Sequence, residues 1–140
     1  LVMRLTRAGL IQGLFISSGV AGGGVRTQER LIETAEILRE RMGYTGYIHL
    51  KVMPGAVRNQ VLRSMRLADR ISINLEAPNA SRLAGLAPCK QFEYDLMQPR
   101  GWMREIRETD DPVDAWKRRW PSSSTQFVVG GAGESDRELL

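Results

Sequence analysis

Ile71-Ser72-Ile73-Asn74-Leu75-Glu76 alternates with period two, placing Ile71, Ile73 and Leu75 on one side of an extended strand and Ser72, Asn74 and Glu76 on the other. Tyr47-Ile48-His49-Leu50-Lys51-Val52 repeats the pattern, with Ile48, Leu50 and Val52 opposed to Tyr47, His49 and Lys51. Upstream, Leu14-Phe15-Ile16-Ser17-Ser18 reads as a short buried strand; downstream, Thr125-Gln126-Phe127-Val128-Val129 reads as another. Helix-length segments separate the strands, so the sheet is expected to be parallel and covered on both faces. The reading is an α/β fold, a partial (β/α) TIM-like barrel of four parallel strands with helices outside, forming a single incomplete domain over residues 1–140. Polar residues on a covered face need partners, and a ligand is one candidate.

The connecting segments carry helix and turn signals. Leu1 to Ala8 reads as the last turns of a helix. Thr27 is the expected N-cap of a helix running to Met42, with Leu31, Ala35, Leu38 and Met42 facing inward and Gly43 as its stop. After Met53-Pro54-Gly55, Val57, Val61, Met65 and Ala68 mark a second apolar stripe. Asn79 is expected to cap a short helix closing near Pro88. The long connector from Cys89 to Ser123 must hold at least one helix, with Leu96, Trp102, Met103 and Ile106 as its apolar positions. Trp116 to Trp120 reads as exposed, and packing and solubility account for it better than stacking on bases. A final helix begins at Ser135 or Asp136.

At 42% hydrophobic and 26% charged, the chain has an ordinary globular composition, with no apolar stretch long enough to span a bilayer. Cys89 stands alone, which excludes an internal disulfide, a structural zinc site or cluster ligation within this sequence, and makes a cytoplasmic setting the default. A net charge of +4 permits a nucleic-acid partner, although the basic residues are dispersed.

In α/β folds ligands bind beyond the carboxyl ends of the strands. The candidates there are Ser17, Ser18 and Gly19, then Lys51, then Asn74 and Glu76, then Gly130, Gly131, Gly133 and Glu134. Glycines in the loop Gly19 to Gly24 allow positive φ and close approach of backbone to a ligand. Amides of both glycine loops suit anionic or carboxylate groups, whereas Asn74 and Glu76 suit hydroxyls or an amine. Turn chemistry explains either glycine loop equally well, and neither fits a nucleotide fingerprint. Lys51 should meet a carboxylate such as Glu76, or a ligand anion. His49, the single histidine, reads as a hydrogen-bonded strand residue rather than a catalyst.

The runs Phe15-Ile16-Ser17-Ser18-Gly19-Val20, Tyr47 to Gly55, Ile71 to Asn79 and Thr125 to Gly130 closely resemble the DNA modification/repair radical SAM proteins associated with uracil-DNA glycosylase. The resemblance spans nearly the whole chain. It implies strands two to five of a radical SAM barrel, holding a [4Fe-4S] cluster and S-adenosylmethionine, whose reductive cleavage yields a 5′-deoxyadenosyl radical. It further implies DNA as substrate and a uracil-DNA glycosylase-like protein as partner. By the same resemblance, Ser17, Ser18 and Gly19 match the position that binds the methionine amino group. Asn74 and Glu76 match the contacts to ribose and carboxylate, and Val129, Gly130, Gly133 and Glu134 match the adenine flank. The Cys-x3-Cys-x2-Cys loop of such enzymes follows the first strand. This chain is expected to begin after it, so the isolated piece is expected to be an inactive, aggregation-prone fragment with its cluster ligands elsewhere. The alternative is a non-catalytic α/β module whose glycine loops hold a phosphorylated metabolite or nucleic-acid backbone. Neither reading assigns a catalytic residue or a metal ligand within the chain.

Overall fold

In the computed structural model, which describes residues 1–139, four strands form one parallel sheet in the order β1-β2-β3-β4. They are β1 (Gly13–Ile16), β2 (Tyr47–Lys51), β3 (Arg70–Glu76) and β4 (Ser122–Phe127). Helices α1 (Val2–Arg7), α2 (Gly24–Glu36), α3 (Arg58–Leu67), α4 (Ala80–Leu86), α5 (Gln98–Thr109) and α6 (Asp136–Leu139) complete the chain. The predicted α/β architecture, with helices flanking a four-stranded parallel sheet, is therefore observed.

Period-two alternation assigns the faces. Ile48, Leu50, Ile71 and Ile73 are buried together with Leu31 and Ala35 of α2, Val61 and Met65 of α3, and Met103 and Ile106 of α5. Burial of apolar area is what holds these layers together, at roughly 25 cal/mol per Å2. The opposite face is not covered as expected. Phe15 and Tyr47 point outward there at 61% and 42% exposure, uncovered by any of the described residues.

The structure departs from the expected local pattern at three places. Thr27 lies one turn inside α2, whose N-cap is Gly23 at φ 98°. Buried Thr27 ties the preceding loop to the helix, its Oγ1 accepting from the Ala21 amide (2.9 Å) and donating to the Gly23 carbonyl (2.8 Å). Secondly, α2 runs on as a π-helical turn, Ile37–Arg41, with the Met42 amide bonded to the Ile37 carbonyl at 3.0 Å. That i→i+5 bond takes in one more residue per turn than an α-helix. The inward face therefore shifts: Leu38 and Arg39 are both buried, and Met42, predicted inside, is 44% exposed. Thirdly, β4 starts at Ser122 and ends at Phe127, leaving Val128 and Val129 outside it. Ser122 to Ser124 reads locally as loop, yet it pairs with Arg70 to Ser72 of β3. Sheet pairing overrides weak strand propensity here.

Other expectations match. The Asn79 side chain accepts from the Arg82 amide at 3.0 Å and caps α4. The long connector contains α5, preceded by a π-helical turn at Phe92–Met97, with Leu96, Met103 and Ile106 buried. Val61, Met65 and Ala68 are buried as predicted, but Val57 precedes α3 and is 45% exposed.

Candidate functional site

Three successive strand ends converge on a cleft of about 290 Å3. The loop after β1 contributes Ser18, Gly19 and Val20; β2 and the turn beyond it contribute Lys51 to Pro54; β3 contributes Asn74 and Glu76. Lys90, from the segment after α4, closes the list of its charged groups. Thus Ser18, Gly19, Lys51, Asn74 and Glu76 come together, as strand order required. Ser17 is exposed and does not line the cleft.

Glycine packing explains why two of these loops meet. A Cβ on Gly24 would fall inside the van der Waals envelope of the Pro54 carbonyl oxygen, so the backbone of the first loop approaches that of the turn after β2. Close approach was expected toward a ligand; at Gly24 it is toward another loop. Gln28, fully buried on α2, joins the same region. Its Oε1 accepts from the Met53 amide (2.7 Å), and its Nε2 donates to Ser64 Oγ of α3 (3.0 Å). A buried glutamine four residues beyond a glycine run gave no sequence signal, because its partners are 25 and 36 residues away.

Glu76 takes its cation from Lys90 (3.1 Å), not from Lys51. This leaves the Lys51 ammonium without an acidic partner among the described residues. Lys90 is the site residue that sequence reading missed, since it follows α4 rather than a strand. With two ammonium groups and one carboxylate, the cleft offers both an anion contact and a cation contact.

The backbone at Glu76 is unusual. Its φ is 65°, and the Ala77 amide bonds the Leu75 carbonyl across it at 2.7 Å, the pattern of the rarer, positive-φ γ-turn. A register shift between β3 and β4 falls at the same place. Holding a side-chain-bearing residue there costs on the order of 1–3 kcal/mol, which suits a carboxylate that must be aimed. Glu76→Gly is accordingly expected to be more stable than Glu76→Ala by about 1 kcal/mol, because only glycine adopts this φ freely. Thermal unfolding of the two variants checks it; equal stabilities would show that no strain is stored.

The second glycine loop is arranged differently. Glu134 turns back on it, accepting from the amides of Gly130 and Ala132 (the latter at 3.0 Å). Backbone hydrogen bonds, first from its own amide and then from those of Gly130 and Ala132, hold its carboxyl below the usual carboxylate range. The amides at these two positions are thereby supplied with an anion from within the chain. Arg82 of α4 clamps the same loop through the Ala132 carbonyl (2.8 Å) and pairs with Glu138 (3.1 Å). Gly130, Gly133 and Glu134 do not line the cleft described above, and Val129, two residues beyond the end of β4, is 71% exposed.

His49 is a hydrogen-bonded strand residue, its Nε2 lying 2.8 Å from Ser72 Oγ. Burial, with a smaller contribution from Arg70, lowers its pKa and keeps the ring neutral at pH 7. Trp116 is not free to stack on bases: it lies 4.0 Å from the Arg39 guanidinium, and the indole nitrogens of Trp116 and Trp120 are buried.

Compared with family models, curated proteins and solved structures, the chain matches none. No helix among the described residues is long and apolar enough to cross a membrane.

Proposed function

We propose that this chain binds S-adenosylmethionine in the strand-end cleft, as part of a radical SAM enzyme acting on DNA. One observation carries the reading: Ser18, Gly19, Lys51, Asn74 and Glu76, from three consecutive strand ends, share one cleft with charges of both signs. S-adenosylmethionine presents an ammonium, a carboxylate, a sulfonium and ribose hydroxyls. Glu76 suits the positively charged groups, Lys51 the carboxylate, and Asn74 and Ser18 the hydroxyls. At about 290 Å3 the cleft lies at the lower edge of ordinary ligand pockets, enough for the aminoacyl end and part of the ribose.

A [4Fe-4S] cluster does not fit the residues present. Cys89 is the single cysteine and is exposed, and no three metal-ligating side chains converge among the described residues. In this reading its ligands come from outside these residues. Bound S-adenosylmethionine supplies hydrogen-abstraction chemistry when coupled to such a cluster. The chain's own contribution is to bind and orient that molecule and to desolvate its charged end.

Equilibrium dialysis with labelled S-adenosylmethionine tests the proposal. Measurable binding is expected, weakened roughly tenfold or more by Glu76→Gln, which loses a contact to a charged group, and about several-fold by Asn74→Ala, which loses a hydrogen bond to a hydroxyl. Absence of binding, or binding indifferent to both substitutions, would overturn it.

A further inference from the structure

The open face of the sheet shares Lys51 and Asn74 with the cleft and adds Phe15, Tyr47 and Arg70, which the cleft does not use. Parallel pairing sets Phe15 beside His49, Lys51 beside Ser72, and Asn74 beside Gln126, so these side chains share one surface. Phe15 is 61% exposed and Tyr47, diagonal to it on β2, is 42% exposed. The two rings are neighbours across the β1–β2 pairing and both stand in solvent. Phe15 is also held in place: its ring centroid lies 4.5 Å from that of His49, at an interplanar angle of 36°. Lys51 and Arg70 supply cations on the same face, and Ser124 and Gln126 supply hydrogen-bonding groups. No strand position on this face is acidic until Glu76 at its end, which pairs with Lys90 at 3.1 Å.

Rings with flanking cations and no carboxylates complement a chain of phosphates carrying unpaired bases. Base faces are available for stacking only when the strand is single or the base is displaced from its helix. We infer that the open sheet face binds single-stranded nucleic acid, one base stacking on Phe15 and the neighbouring phosphates meeting Lys51 and Arg70. This deepens the proposed function by giving the substrate a surface, and rests on that reading for the chemistry, though not for the binding itself. The interaction is placed on the sheet, not on Trp116 or the glycine loops.

Fluorescence polarisation of labelled oligo-thymidylate with the 140-residue chain tests it, with a duplex of equal length for comparison. The single strand is expected to bind more tightly than the duplex, with affinity falling between about 50 and 200 mM salt. Phe15→Ala should weaken binding on the order of tenfold or more, and Phe15→Trp should restore it. Phe15 is exposed, so neither change threatens the core. Arg104→Ala, on α5 and 83% exposed, should leave binding unchanged. No single-strand binding, equal binding to duplex, or insensitivity to Phe15→Ala would each overturn the inference. So would a second copy on this face, seen as self-association that Phe15→Ala abolishes without any oligonucleotide binding. S-adenosylmethionine dialysis on the same samples separates the two proposals: its failure with oligonucleotide binding intact removes the cofactor and leaves the surface.

Discussion

Arg39→Ala is expected to destabilise the protein by about 3–5 kcal/mol, the cost of breaking a buried ion pair by removing one partner. The Arg39 and Asp69 side chains are 4% and 3% exposed and meet at 2.9 Å. Arg39 also donates to the carbonyls of Leu67 (3.0 Å), Tyr44 (2.8 Å) and Gly46 (2.8 Å), while Asp69 Oδ2 accepts from the Ile48 amide (3.0 Å). One guanidinium thus ties the end of α3 to the starts of β2 and β3, at the side of the sheet away from the cleft. Against a total stability of 5–15 kcal/mol, typical of such domains, the loss corresponds to a fall in Tm of roughly 10–20 °C. Arg39→Lys should recover little, because an ammonium cannot reach four acceptors in a fixed fork. Lys117, whose ammonium meets Asp69 Oδ1 at 2.7 Å but is 45% exposed, should matter far less on truncation, at or below about 1 kcal/mol. Calorimetry of the three variants decides; an Arg39→Ala protein as stable as Lys117→Ala would refute the assignment.

The same site sets a pH dependence. Burial pushes the Asp69 carboxyl up, but Lys117, the Ile48 amide and Arg39 together hold it below its ordinary value. A carboxylate with a depressed folded-state pKa contributes stability above its unfolded pKa, near 4, and that contribution disappears as pH falls through the lower folded value. Acid unfolding should accordingly be shallower in Asp69→Asn than in the parent.

Gly24→Ala is the second large effect, expected to cost about 1–3 kcal/mol and to impair the cleft. The added methyl would press on the backbone of Pro54, which cannot rotate away as a side chain would. Relief must come from separating the loop that carries Gly19 and Val20 from the turn that carries Met53 and Pro54, and all four line the cleft. Gly19→Ala is the matched comparison for stability, since nothing lies within 4 Å of a Cβ there. Thermal unfolding should separate the two variants, and S-adenosylmethionine dialysis should show weaker binding to Gly24→Ala than to the parent. Equal stability would remove the steric account.

Much of the site was legible before any coordinates because strand alternation and strand polarity are local properties. Asn74 and Glu76 share a face by the period of an extended chain, and both stand near a carboxyl end by chain direction alone. Lys90 was not legible, because its role depends on where the segment after α4 returns. Glu134 was read as a ligand contact from its place in a glycine loop, whereas its carboxylate bonds that loop's own amides.

The residue order alone determined the four strands, their parallel arrangement, the Asn79 cap and the apolar stripe of Val61 and Met65. Each follows from spacing along one segment. Tertiary structure alone decided that Arg39 is buried, that Ser122 to Ser124 pair as strand, that Glu76 adopts a positive φ, and that Phe15 and Tyr47 face solvent. These outcomes turn on partners distant in sequence: Asp69 for Arg39, β3 for β4, the register shift against β4 for Glu76, and, among the described residues, no covering element over Phe15 and Tyr47. Hydrogen-bond satisfaction and burial are settled through space, so periodicity along the chain carries no record of them.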